Sequence, residues 1–114
     1  MEKFIIHENI WPWGKNTIFV TEKGDGVASL DFDNNNPGVA FLSVISVVPM
    51  SRGRGKATAL LERCIEYCRE QGMFRIDLVS VPQVYVKSFY EGHGFFEVAD
   101  RGADGTVMTK LLYD

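Results

Sequence analysis

The chain has 114 residues, 46% of them hydrophobic and 24% charged. That length suits one domain of roughly 50–250 residues, and the composition excludes disordered and collagen-like chains. With 12 Lys+Arg against 15 Asp+Glu the net charge is −3, whereas a general binder of nucleic acid or membrane surface is normally basic.

No stretch approaches the roughly 20 apolar residues of a membrane helix, and the apolar run at the start is too short for a signal peptide. The expectation is a cytoplasmic protein, a single domain over residues 1–114, with neither nucleic acid nor membrane as partner. Cys64 and Cys68 lie four residues apart in a helical pattern and read as small core residues. No metal is expected, because His7 and His93 are far from them in sequence.

A first strand runs into a short interval from Glu8 to Asn16 that contains Ile10-Trp11-Pro12-Trp13-Gly14. Tryptophans flanking a proline read first as core plugs and second as a platform for substrate. Residues 17–22 and 27–32 are β-branched and aromatic on either side of Lys23-Gly24-Asp25-Gly26, a hairpin signal. Asp33 to Gly38 reads as a tight loop, since Asn and Gly tolerate left-handed backbone and Pro presets a turn. Residues 39–48 form a nearly continuous apolar run, which predicts a central strand covered on both faces.

Ala57, Leu60, Leu61, Cys64, Ile65 and Cys68 then make one apolar stripe of 3.6 period, with Gly72 placed for a C-terminal cap. Strand character returns at 74–81. Pro82 opens a short helix, roughly Gln83 to Glu91, and 95–99 with 106–113 read as a closing hairpin. The long helix crosses between two strands, which should therefore be parallel. The predicted class is a mixed α/β (α+β) sheet, mostly antiparallel with one parallel pair, with helices packed on it.

Four features coincide in Pro49-Met50-Ser51-Arg52-Gly53-Arg54-Gly55-Lys56-Ala57-Thr58. The segment leaves a buried strand. It contains two glycines, which let backbone amides approach a ligand without a Cβ in the way. It opens a long helix, whose first N–H groups are unpaired and whose dipole is positive there. It carries Arg52, Arg54 and Lys56 with no acid among them. Together these describe an anion site suited to a pyrophosphate. A P-loop would need glycine at Met50 and Ser or Thr at Ala57, and a dinucleotide fingerprint would need glycine at Thr58, so neither fits.

Val47-x-Pro49-x-x-Arg52-Gly53-x-Gly55-x-Ala57 resembles motif A of the GNAT superfamily of acyl-CoA-dependent N-acetyltransferases. Phe89-Tyr90-Glu91-Gly92-His93-Gly94-Phe95 resembles the Tyr-x-x-x-Gly-Phe segment that follows in that superfamily. The likeness covers residues 39–99. It implies a GNAT-like fold in which the strand before the turn splays from its parallel neighbour. Ile45, Ser46 and Val47 would then pair through their backbone with the pantetheine arm of acetyl-CoA. Arg52 and the amides of Gly53, Arg54, Gly55, Lys56, Ala57 and Thr58 would hold the phosphates. Gln83 stands where many members have an Asn that contacts CoA. Tyr90 matches the general acid that protonates the departing thiolate, a role a phenol with a pKa near 10 can fill at neutral pH.

The resemblance thus implies acetyl transfer to a primary amine, small-molecule or protein, by direct attack. No carboxylate base can be carried over: residues 39–48 hold no acid, the family's acidic position on the next strand is Leu78, and Asp77 should face the opposite way. Glu8, Asp31, Asp33 and Glu97 are further acids without an assigned role. His93 lies close to Tyr90 in sequence as a candidate proton relay. The segment ahead of the turn is shorter than in most members, so the acceptor side is expected to be open, roofed by Trp11 and Trp13, or completed by a homodimer partner. The competing reading is an inactive CoA-binding or protein-interaction module of the same fold. A nucleotide-phosphate binder of another fold is the third.

Overall fold

The computed structural model describes residues 2–113. Its strands are β1 (Phe4–Trp11), β2 (Gly14–Thr21), β3 (Gly26–Asp33), β4 (Val39–Val47), β5 (Arg75–Ser80), β6 (Phe96–Asp100) and β7 (Thr106–Leu111). The helices are α1 (Lys56–Glu70), between β4 and β5, and α2 (Val84–Glu91), between β5 and β6. The strands form one sheet in the order β1-β2-β3-β4-β5-β7-β6. Among the described residues only β4 and β5 pair in parallel, as the helical crossover between them requires.

The apolar stripe of α1 explains the packing. Leu60, Leu61, Cys64 and Cys68 are fully buried against Phe19, Ala28, Leu30, Ala40, Ile76, Leu78 and Met108 of the sheet. Each large aliphatic side chain sequestered this way contributes roughly 1.5–3 kcal/mol. Gln71 closes the helix, and Gly72 follows at φ +76, the left-handed position the sequence predicts for it. Gly38 is required sterically: a Cβ there would lie 2.4 Å from the Phe74 ring, which packs across the loop entering β4.

Two expectations are corrected. β4 is not covered on both faces: α1 packs on one, while Phe41, Ser43, Val44 and Ser46 are exposed on or toward the other. An unbroken apolar run does not distinguish a strand buried twice from one with an open face. Trp11 and Trp13 are not core plugs. β1 and β2 extend further than the sequence implied and meet in a tight turn at Pro12-Trp13, which leaves Trp13 64% exposed.

The pairing of β4 sets up the site. Against β5 it is hydrogen-bonded only from Val39 to Leu42, opposite Arg75 to Leu78. From Ser43 to Val47 it pairs with β3 alone, and a bulge falls between the Leu30–Leu42 and Ser29–Val44 pairs. The two parallel strands therefore fork beyond Leu42, as the resemblance predicts, and the β5-facing backbone of β4 is left without a strand partner.

Candidate active site

The fork opens into a cavity of about 520 Å³. Ile45, Ser46 and Val47 line one side, the turn residues Ser51 to Gly53 and Gly55 to Thr58 its end, and Tyr85, Val86, Phe89 and Tyr90 of α2 the other. The predicted strand stretch, most of the predicted turn and the predicted tyrosine are thus brought together from three segments of chain.

The turn begins as a short 3₁₀ segment, Pro49–Ser51. Ser51 N–H donates to Val48 O and Arg52 N–H to Pro49 O, which satisfies those amides locally. From Gly53 to Thr58 no backbone N–H donates to any group among the described residues, and the first intrachain bond of the helix is Ala59 N–H to Gly55 O. Gly53 and Gly55 both sit at φ +77, and a Cβ on either would meet nothing within 4 Å. These glycines answer to backbone geometry, not to packing. They turn a row of free amides outward at the positive end of a 15-residue helix dipole. Two successive phosphates are the kind of group such a row accommodates.

The three cations of the turn divide. Arg52 folds its Nε onto Val47 O at 2.9 Å, clamping the turn to the end of β4. Arg54 is exposed and does not line the cavity. Lys56 lines it, but its ammonium is engaged at 3.2 Å by Glu2 and at 3.3 Å by Asp25, and these partners raise its pKa. Asp25 also accepts from the Thr21 hydroxyl at 2.6 Å, and that bond is the main reason its carboxyl is held down at about 2. Sequence reasoning missed Asp25 because its cationic partner, Lys56, is remote in the chain and its Gly-Asp-Gly context reads only as a hairpin turn.

Tyr90 packs edge-on between Phe89 and Phe95, with ring centroids 5.3 and 5.7 Å away. Its hydroxyl makes no hydrogen bond among the described residues and is not sealed from solvent. Burial of the ring raises the phenol's pKa above its ordinary value. His93 turns away: its Nδ1 lies 3.0 Å from Phe89 O, and it does not line the cavity. Gln83 caps α2 through its backbone carbonyl and is exposed outside the cavity.

Among the described residues no carboxylate lines the cavity. Asp77 faces away as alternation predicts, bound by Arg75 and Thr109. Glu8 accepts from the Tyr67 hydroxyl, and Glu97 pairs with Lys87. Among the described residues no group of His, Cys, Asp and Glu could hold a metal ion. No helix among the described residues is long and apolar enough to cross a membrane.

The fold has many solved likenesses. The PaiA N-acetyltransferase of Thermoplasma acidophilum, solved with coenzyme A, superposes with a TM-score of 0.70 at 18% identity, over 84% of this chain and 59% of that one. An acetyltransferase of Thermus thermophilus gives 0.74 at 22% identity, over 90% and 67%. A GNAT-family acetyltransferase of Staphylococcus aureus gives 0.70 at 19%, over 88% and 69%. The chain thus spans about three fifths of the Thermoplasma protein and about two thirds of the other two. No curated protein sequence matches it significantly. The profile of the Acetyltransferase (GNAT) family matches residues 4–95, from β1 through the tyrosine segment, and the chain belongs to that family.

Proposed function

We propose that the protein transfers an acetyl group from acetyl-CoA to a primary amine. The observation that carries this reading is the run of unpartnered amides from Gly53 to Thr58, at one end of a cavity whose far wall is Tyr90. The amides and the helix dipole would bind the diphosphate. The edge of β4 from Ser43 to Val47, which no strand pairs on the β5 side, would hydrogen-bond the pantetheine amides as a missing strand would. When bound, the cosubstrate supplies an activated thioester carbonyl and a thiol leaving group. Tyr90, whose hydroxyl has no competing partner, would donate its proton as charge develops on the departing sulfur. Because no carboxylate among the described residues lines the cavity, the amine would give up its proton to water or arrive already neutral.

Calorimetric titration with acetyl-CoA, followed by a free-thiol assay over a panel of primary amines, tests the reading. Saturable binding together with amine-dependent thiol release is expected. Absence of heat at millimolar acetyl-CoA would remove the cosubstrate from the argument. Binding without thiol release for any amine would instead favour a CoA-binding module, the reading that the missing carboxylate supports.

A further inference from the structure

At the other end of β4 lies a second cleft, of about 350 Å³, that the acyl-transfer reading does not use. Trp11 and Trp13 wall it, with ring centroids 6.3 Å apart and planes tilted by 53°. The turn that carries them is held in place by Asn34, whose amide N–H donates to Trp13 O and whose side chain donates to Pro12 O, both at 2.9 Å. Opposite them, Phe41 is the register partner of Asp31 on one side and of Asp77 on the other, so a phenyl ring lies between two carboxylates in one row of the open sheet face.

Arg75 neutralises Asp77. Asp31 and Asp33 have no cationic partner among the described residues: Asp31 accepts from the neutral Asn16 side chain at 2.7 Å, and Asp33 from the Asn35 amide at 2.8 Å. The ammonium of Lys15, whose side chain also borders the cleft, is bound to the Tyr67 hydroxyl at 2.9 Å and to Gln71 at 3.2 Å, and its charge is matched by Glu8 at 3.8 Å rather than by Asp31 or Asp33. Four aromatic rings, of which Phe32 is already covered by the Lys15 ammonium at 5.1 Å while Trp11, Trp13 and Phe41 are not, and two uncompensated carboxylates are thus gathered at one cavity. Rings attract cations through their faces, and carboxylates supply the opposite charge.

The position of the cleft is as informative as its lining. Phe41 shares the open face with Val44 and Ser46, and it precedes the fork, whose unpaired backbone begins at Ser43. From Phe41 to the fork is about 7 Å along the strand, at roughly 3.3 Å per residue. A molecule seated between Trp13 and Phe41 would present its far end to the fork.

Resting on the acyl-transfer reading, we propose that this cleft is the specificity subsite for the acceptor. It takes a second cationic group, an alkylammonium, so that the preferred acceptors are dications whose reacting amine and anchoring charge are separated by a flexible spacer.

The chain's two tryptophans both lie in the cleft, which makes their fluorescence a probe of this site alone. Butyltrimethylammonium, which cannot be acetylated, should change that fluorescence saturably in the absence of any CoA compound, and its uncharged carbon isostere should not. In turnover, diamines should exceed amino alcohols of equal length by about tenfold in kcat/KM, the scale of one partly desolvated cation–aromatic contact. Asp31→Asn, which keeps the shape and the Asn16 contact, and Trp13→Ala, at an exposed position, should each erode that preference while leaving KM for acetyl-CoA unchanged. Equal responses to cation and isostere, no fluorescence response at all, or an undiminished preference in both variants would overturn the assignment. If no amine releases thiol, the acyl-transfer reading fails on its own assay, while the fluorescence titration still decides whether the cleft takes a cation.

Discussion

Tyr90 sits where ring packing and proton donation are compatible. Phe89 and Phe95 hold the ring edge-on, and the hydroxyl is left without a partner at the cavity wall. Replacing it with phenylalanine removes only that hydroxyl, so the aromatic packing and the fold should survive. Steady-state kinetics of Tyr90→Phe should show kcat reduced about a hundredfold, the lower range for loss of a general acid, with KM for acetyl-CoA nearly unchanged. The pH profile supplies an independent check. A general acid must be protonated, so activity is lost as pH rises through its pKa. Burial raises that pKa above the ordinary phenol value of 10.0, so the alkaline limb of kcat should lie above pH 10 and be absent in the variant. Unchanged turnover in Tyr90→Phe would refute the proton-donor role. The sequence exposed this residue because a tyrosine followed at fixed spacing by Gly-Phe is a local pattern. It could not show that Lys56 is tied up by Glu2 and Asp25, because a basic residue in a glycine-rich turn looks the same whether it faces a ligand or an acid elsewhere in the chain.

Three elements converge on the start of α1. Arg52 pins the turn to β4, and Lys56 joins it through Asp25 to the β2–β3 hairpin, whose Asp25 carbonyl in turn accepts from Val48 N–H at 2.9 Å. The free amides are therefore held by side chains that anchor the turn to β4 and to the β2–β3 hairpin. The Asp25 carboxyl titrates near 3.8 when unperturbed and at about 2 in the folded chain. A depressed carboxyl contributes stability that is fully present above its unfolded pKa and disappears as pH falls through its folded pKa. Asp25→Asn should accordingly lower the thermal midpoint at neutral pH, and its midpoint should vary less than that of the parent between pH 3.8 and 2. Calorimetry should show weaker acetyl-CoA binding as well, because the amide row loses its outer brace; unaltered affinity would mean the brace is only structural. Most elements were legible from period and punctuation: the α1 stripe, the Gly72 cap and the parallel β4–β5 crossover all follow from local chemistry. The β1–β2 hairpin was less so. Consecutive Ile5 and Ile6 break the alternation that marks a half-buried strand, and a proline between tryptophans masks a tight turn. The openness of one sheet face was invisible for the same kind of reason, since side-chain polarity records what a strand can bury and not what covers it.

The sheet carries α1 on one face and leaves much of the other to solvent, with Ile5, Phe41, Val44, Val79 and Leu111 between 39% and 54% exposed. A one-sided sheet of this size buries a smaller share of its apolar surface than a fully covered one, so its stability is a narrow surplus over chain entropy. A ligand lodged in the fork acts on that surplus directly. It would bridge residues 45–47, the turn before α1, and residues 85–90 of α2, which come together only in the folded chain, so the unfolded state offers no comparable site. Binding restricted to the native state adds about 2.7 kcal/mol when free ligand exceeds its dissociation constant a hundredfold. In a domain near 100 residues, where 1 kcal/mol moves the midpoint by roughly 4–8 °C, acetyl-CoA at that excess should raise the melting temperature by about 11–22 °C. Pantetheine alone should give a smaller shift, since it lacks the diphosphate that the Gly53–Thr58 amides would hold. Equal shifts from pantetheine and acetyl-CoA would mean that the amide row contributes nothing to binding, and no shift from either would mean that the folded chain binds neither.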